Sequence, residues 1–221
     1  DKKIVMPLEE IMGDRFGSYS KYIIEKDQVS GLYRIKLSGE GYDVCNFDDT
    51  NGMPGKRVRC TIELSNGDIV SVGDDGVAFI KDDNVTSTIT DKLVNRKSLC
   101  VLEHEGKIYV GSDGGGITII NNRVVEKNIS RTDGLSSDVI LRMAYDKDSD
   151  GIFVVTSNGI CFINASDEVQ YLDKFPYSNN YDIIPGNNGD MWVLGSAGIY
   201  VASSGQLVDN INKDYELLNV K

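Results

Sequence analysis

One short phrase recurs five times along this chain, and it restricts the possible folds more than any other feature. It consists of a hairpin turn, an apolar strand, a small polar turn, a glycine and a second apolar strand. Clear copies are NGDIVSVGDDGVAFI at 66–80, GKIYVGSDGGGITII at 106–120, DGIFVVTSNGICFI at 150–163 and GDMWVLGSAGIYV at 189–201. A weaker copy ends as VSGLYRI at 29–35. The anchoring glycines Gly31, Gly76, Gly116, Gly159 and Gly198 are spaced 45, 40, 43 and 39 residues apart. A period of roughly 40–50 residues is that of a four-stranded propeller blade. Leucine-rich and helical repeats need a shorter period or a 3.6-residue pattern, and the chain has neither.

The physical logic is legible inside one unit. VRCTIEL at 58–64 and VILRMAY at 139–145 supply a first strand. Asn66-Gly67, Asp150-Gly151 and Asn188-Gly189 then supply the positive φ that tight hairpins need. The next strand reads as a continuous apolar run, as expected for one buried on both faces between neighbouring blades. The repeat glycine turns the chain into strand three, and strand four, outermost, is the least regular. The expected fold is an all-β propeller of four-stranded blades, about five of them, over residues 17–221. Residues 1–16 form a lead-in, with Pro7 to Met12 reading as a short helix with proline in its first turn. Asp214 to Val220 reads as an outer strand. The chain opens on Asp1-Lys2-Lys3, without methionine or signal peptide, and ends abruptly, so a piece of a larger ring is expected.

Charge excludes some partners. Lys and Arg total 23 against 34 Asp and Glu, a net charge of −11 that repels phosphate backbones and anionic lipid. No run approaches the roughly 18–20 apolar residues of a membrane-spanning helix. Cys45, Cys60, Cys100 and Cys161 are too few for a disulfide scaffold. Buried free thiols are the simpler expectation, with one disulfide the alternative.

The repeat's wording resembles the two-component regulator propeller repeat of bacterial extracytoplasmic sensor regions. YVGSDGGGI at 109–117 matches the glycine-rich form of its W-I-G-T-x-x-G-L element, and FVVTSNGI at 153–160 and WVLGSAGI at 192–199 match the plain form. Its N/D-G-L-P loop appears as TNGMP at 50–54 and TDGLS at 132–136. Gly52 and Gly134 stand 24 and 25 residues before Gly76 and Gly159, and two elements at a nearly fixed offset are more specific than either alone. The motif aromatic is Val70, Tyr109, Phe153 and Trp192 in turn, and the loop is missing before the third and fifth units. The resemblance implies an extracytoplasmic (periplasmic or cell-surface) region, linked through a membrane helix outside this chain to a histidine kinase or diguanylate cyclase. It also implies glycans as a possible input.

Catalytic and metal readings find little support. The only histidine, His104, lies between Glu103 and Glu105 beside an expected hairpin and reads as a solvated turn residue. No G-x-S-x-G elbow accompanies it, and one histidine cannot build a His cluster for zinc. Asp146, Asp148, Asp150 and Gly151 copy the first half of a calcium loop. Val154 and Ser157 then fall where its later ligands belong, so an acidic hairpin turn is the expectation. Asp113 to Gly116 lacks the lysine and following helix of a phosphate loop. Asn84, Asn128 and Asn164 head chance glycosylation matches. Neither a cofactor nor a metal is expected.

Propeller geometry places the turns between strands two and three on the same face as the loops leading into strand one. That face is the candidate binding surface. Asp74, Asp75, Asp113, Ser157, Asn158 and Ser196 belong to the first set, and Asn51, Lys56, Asp133, Ser136 and Ser137 to the second. Tyr109, Phe153 and Trp192 are expected in the inter-blade core. The functional expectation is a non-enzymatic extracytoplasmic sensor that binds a carbohydrate or other small extracellular ligand within a membrane-anchored signalling protein, as a homodimer. A dimerisation or interaction scaffold is the alternative, and a propeller lyase or lactonase comes third.

Overall fold

In the computed structural model, residues 21–23, 31–38, 41–211 and 216–218 are described. The 1–16 lead-in and its proposed helix lie outside them. Four repeats fold into four-stranded antiparallel meanders. Blade II holds β4 (Val58–Glu63), β5 (Ile69–Gly73), β6 (Gly76–Lys81) and β7 (Asn84–Ile89). Blade III holds β8 (Ser98–His104), β9 (Lys107–Ser112), β10 (Ile117–Asn121) and β11 (Val124–Ile129). Blade IV holds β12 (Ile140–Asp146), β13 (Gly151–Thr156), β14 (Gly159–Asn164) and β15 (Val169–Tyr171). Blade V holds β16 (Asn180–Pro185), β17 (Asp190–Gly195), β18 (Gly198–Ser203) and, after helix α1 (Ser204–Val208), β19 (Glu216–Leu218). Blade I is three-stranded among the described residues: β1 (Lys21–Ile23), β2 (Leu32–Ser38) and β3 (Gly41–Phe47). The innermost strands touch in succession, β4 with β8, β8 with β12, and β12 with β16, so the blades fan around a shared axis.

Two choices written into each repeat produce this arrangement. The repeat glycines all take positive φ: +80° at Gly31, +140° at Gly76, +73° at Gly116, +147° at Gly159 and +145° at Gly198. At Gly116 a Cβ would sit 2.2 Å from the carbonyl oxygen of Ile129, so the turn admits no side chain. Strand two is then sandwiched. In blade IV, Ile152 and Val154 pack back on Tyr109, Ile117 and Ile119 of blade III. Phe153 and Val155 pack forward on Ile183, Met191 and Val193 of blade V. Comparable apolar clusters fill the I–II and II–III interfaces. Each large side chain so buried contributes about 1.5–3 kcal/mol, and no blade could supply that burial alone.

Two expectations need correction. Trp192 is 40% exposed, because its side of β17 faces away from blade IV and no other blade covers it among the described residues. His104 ends strand β8 rather than lying in a turn, with its ring stacked 3.9 Å from that of Tyr145. A short helix, α1, interrupts blade V, closed by a capping box between Ser203 and Gln206 and anchored by buried Leu207. The cysteines are all free thiols, with Cys100 and Cys161 buried and Cys45 and Cys60 half-buried. Burial pushes the Cys100 thiol up to about 12.

Candidate functional site

The turns between strands two and three share one backbone device. In each, the first turn residue donates its N–H to the carbonyl at the start of the same blade's innermost strand. The pairs are Asp74 to Arg57 (3.2 Å), Asp113 to Lys97 (2.8 Å), Ser157 to Val139 (3.1 Å) and Ser196 to Asn179 (3.0 Å). Four residues singled out from the sequence therefore occupy one equivalent position in four blades. The bond also pins each turn to the loop arriving from the preceding blade, so both sets of loops lie on one face.

Over blade IV these loops border an open cleft of about 970 Å³. Arg131, Thr132, Leu135, Ser136 and Asp138 line it from the loop before β12, and Ser157 and Asn158 from the β13–β14 turn. Tyr171 closes β15 beside it, and Ser178 and Asn179 reach in from the loop before β16. The lining is held by its own hydrogen bonds. Ser136 and Thr156 share one between hydroxyls at 2.7 Å, as do Ser137 and Ser157. The Asn158 amide donates to the Ser136 carbonyl at 3.2 Å, and the Ser136 N–H donates to the Cys161 sulfur at 3.3 Å. Of the sequence candidates, Ser136, Ser157 and Asn158 line this cleft, and Ser137 supports it from below.

The other candidates are engaged elsewhere. The Asp133 carboxylate accepts from the Ser130 N–H at 2.8 Å in the capping box of the Arg131–Asp133 turn, and that bond holds its carboxyl below the usual range. Asn51 accepts from the Asp48 N–H (2.8 Å) and donates to the Asn46 carbonyl (2.6 Å), which folds the loop before blade II. Lys56 lies 3.7 Å from Asp49, and Asp113 pairs with Lys97 at 2.5 Å. Asp75 packs where a side chain on Gly55 would otherwise stand.

A second feature escaped the sequence reading. Every complete blade carries a register shift near the start of its innermost strand: Val58/Cys60, Ser98/Cys100, Ile140/Arg142 and Asn180/Asp182. The skipped residues are Arg59, Leu99, Leu141 and Tyr181, and all four line a central funnel of about 470 Å³ on the same face. Bulges re-aim side chains in this way. Arg57, Val58 and Arg142 complete the wall. Arg59 donates to Asp74, and Arg57 lies 3.5 Å from the same carboxylate. The Arg59 hydrogen bond is the main cause that holds the Asp74 carboxyl below its ordinary value. Arg142 lies 3.8 Å from Asp182.

The acidic stretch at 146–151 is a hairpin. Asp146, 2% exposed, accepts from the Ser149 N–H (2.9 Å) and hydroxyl (2.7 Å), and Asp150 accepts from the Tyr145 hydroxyl at 3.1 Å. Among the described residues no group of three or more His, Cys, Asp or Glu side chains gathers as a metal site. No helix there is long and apolar enough to cross a membrane.

No protein-family profile and no curated protein sequence matches the chain. Solved structures do. The extracellular domain of BT4673 from B. thetaiotaomicron, described as a one-component system, superposes with TM-score 0.70 at 17% identity, over 87% of this chain and 29% of its own. The extracellular domain of the hybrid two-component system BT3049 from the same organism gives 0.70 at 15%, over 91% and 27%. Virginiamycin B lyase from Staphylococcus aureus gives 0.66 at 13%, over 85% and 71%. The chain thus spans less than a third of each of these two extracellular domains. At these identities the likeness shows the fold, which is the β-propeller read from the repeat. That two of these structures are extracellular domains of bacterial signalling systems agrees with the resemblance in the repeat's wording.

Proposed function

We propose that the chain is part of a non-enzymatic, extracytoplasmic sensor propeller in a bacterial membrane-anchored signalling protein, with the blade IV cleft receiving a small polyhydroxylated ligand such as a saccharide. The cleft carries the reading. Its Ser136, Ser157, Asn158, Ser178 and Asn179 offer hydroxyl and amide groups that both donate and accept, beside the ring of Tyr171. A sugar presents the matching set of hydroxyls and one C–H-rich face that an aromatic ring covers. The lining comes from four segments, the loops on either side of blade IV, the turn within it and the end of β15. A bound ligand therefore favours one packing of blades IV and V over others, which is what a sensor transmits.

The test is a thermal-shift series of mono- and oligosaccharides. A ligand at 100 times its Kd adds about 2.7 kcal/mol, or a Tm rise of roughly 5–10 °C for a chain of this size. The rise is expected to shrink in Asn158→Ala and Tyr171→Ala. A flat response across neutral sugars would overturn the reading.

Two other readings rest on specific observations. The lyase likeness favours an enzyme, yet His104 lies at the β8–β9 hairpin end of its blade, opposite the face that holds the cleft and funnel. The scaffold reading draws on exposed Trp192 and Ile184, which pair across β16 and β17. The equivalent Phe153 and Tyr109 are covered by another blade of the same repeat, and a second copy of the chain would supply one. Sedimentation velocity of wild type against Trp192→Glu separates a dimer built this way from a monomeric sensor.

A further inference from the structure

The axial funnel, a separate site from the cleft, has a different chemistry. Its four bulged residues and their neighbours bring together three guanidinium groups (Arg57, Arg59 and Arg142) with Leu99, Leu141 and the ring of Tyr181. Two carboxylates answer the three cations: Asp74 is shared by Arg57 and Arg59, and Asp182 lies at 3.8 Å from Arg142. The funnel wall is left with an excess of one positive charge in a chain whose net charge is −11. Three of the eight arginines converge there.

Neutralising the acids alone would take two arginines. Arg59 donates to one oxygen of Asp74 and Arg57 lies 3.5 Å from the other, so a single carboxylate faces two guanidinium groups. Arg57 and Arg142 are 56% and 49% exposed in their side chains, so both present N–H groups to solvent at the funnel mouth. Guanidinium groups bind carboxylate and sulfate in a fork geometry that ammonium groups cannot match. A cleft wall with an excess of one sign of charge focuses the local potential on the opposite sign, here an anion.

We infer that the funnel is an anion-binding site for a small organic ligand bearing a carboxylate or sulfate group, with Arg57 and Arg142 receiving the anion and Tyr181, Leu99 and Leu141 receiving the body of the ligand. Arg59 is a positioning residue, fixed by Asp74. The same chemistry is offered by an acidic sugar and by a free inorganic anion, and the assay separates them.

The 221-residue chain is titrated calorimetrically with sodium sulfate, sodium glucuronate and glucose, with sodium chloride at matched ionic strength as the reference. Sulfate or glucuronate is expected to bind above the chloride background, while glucose gives no signal from this site. In the Arg57→Gln/Arg142→Gln double variant the Kd for the anion rises about tenfold or more. Asp182→Asn removes the acid that competes for Arg142, so its Kd falls several-fold, a gain that a misfolded variant could not produce. Glucuronate binding with weak sulfate binding points to an acidic sugar, and the reverse order to a free oxyanion. Anion binding no stronger than chloride, or binding that survives the double variant unchanged, overturns the inference. Glucose binding that responds to Asn158→Ala but not to the arginine variants belongs to the cleft, so the two sites fail independently.

Discussion

Blades IV and V carry the same phrase in the same register, yet one is buried through and the other is open on one side. In β13 every residue is buried, whereas in β17 burial alternates. Phe153 and Trp192 occupy equivalent positions, at 0% and 40% exposure. The local sequence is no more polar in blade V. The difference lies in what stands beside it: Phe153 has a following blade to pack on, and Trp192 has none among the described residues. In a stacked repeat, burial belongs to the interface and not to the motif.

The largest test of this contrast is Phe153→Ala, which opens a cavity between two blades and is expected to cost about 3–5 kcal/mol in chemical denaturation. A loss below 1 kcal/mol would mean that the IV–V interface contributes little. The next concerns glycine. Gly116→Ala in blade III forces a side chain into the Ile129 carbonyl at positive φ and should cost roughly 1–3 kcal/mol. Gly205→Ala in blade V meets nothing within 4 Å and lies in α1, so it should be neutral or stabilise by up to about 1 kcal/mol. Equal effects at the two sites would break the comparison.

Smaller still is an acid-side effect at the start of blade II. The Asp74 carboxyl is held down by Arg59, so the pair's contribution is complete above the ordinary value of 3.8 and is lost as the pH falls through the lowered one. Arg59→Gln should flatten that limb of the stability–pH curve, and an unchanged curve would count against the pairing. A small loss is expected for Trp192→Ala, about 1 kcal/mol or less, because its ring already meets solvent. Trp192 is the only tryptophan, so its emission reports the open side directly. Red-shifted fluorescence that acrylamide quenches readily is expected, and a blue-shifted, protected signal would show that a partner covers this face.

Much of the fold could be read in advance because the repeat encodes it in local chemistry. The five glycines mark residues that must take positive φ, and Asn66-Gly67 and Asp150-Gly151 mark hairpins whatever packs around them. Asp74, Asp113, Ser157 and Ser196 were traceable to one face for the same reason. What was hidden depends on pairing between strands. A bulge shifts the register by one residue, so alternation along VRCTIEL or VILRMAY gives no sign that Arg59 and Leu141 turn toward the axis. The gathering of Ser136 with Ser178 and Asn179 depends on how two separate loops lean over blade IV. Trp192 looked like core because its sequence context is that of Phe153. The α1 helix did carry a readable signal, Ser203 followed three residues later by Gln206, which the strand pattern around it overshadowed.

The recurring bulge has a consequence for how such a protein can change. Each blade devotes its glycines, its hairpin and its apolar strands to holding the ring together, and these positions tolerate few alternatives. The bulged residue pairs with nothing across the ladder, and in the four blades it is arginine, leucine, leucine and tyrosine. Each complete blade therefore contains one residue that stands outside the strand ladder, and the four meet around a single opening. A lineage built on this scaffold can change the lining of its axis one blade at a time, while the words that make it fold stay the same.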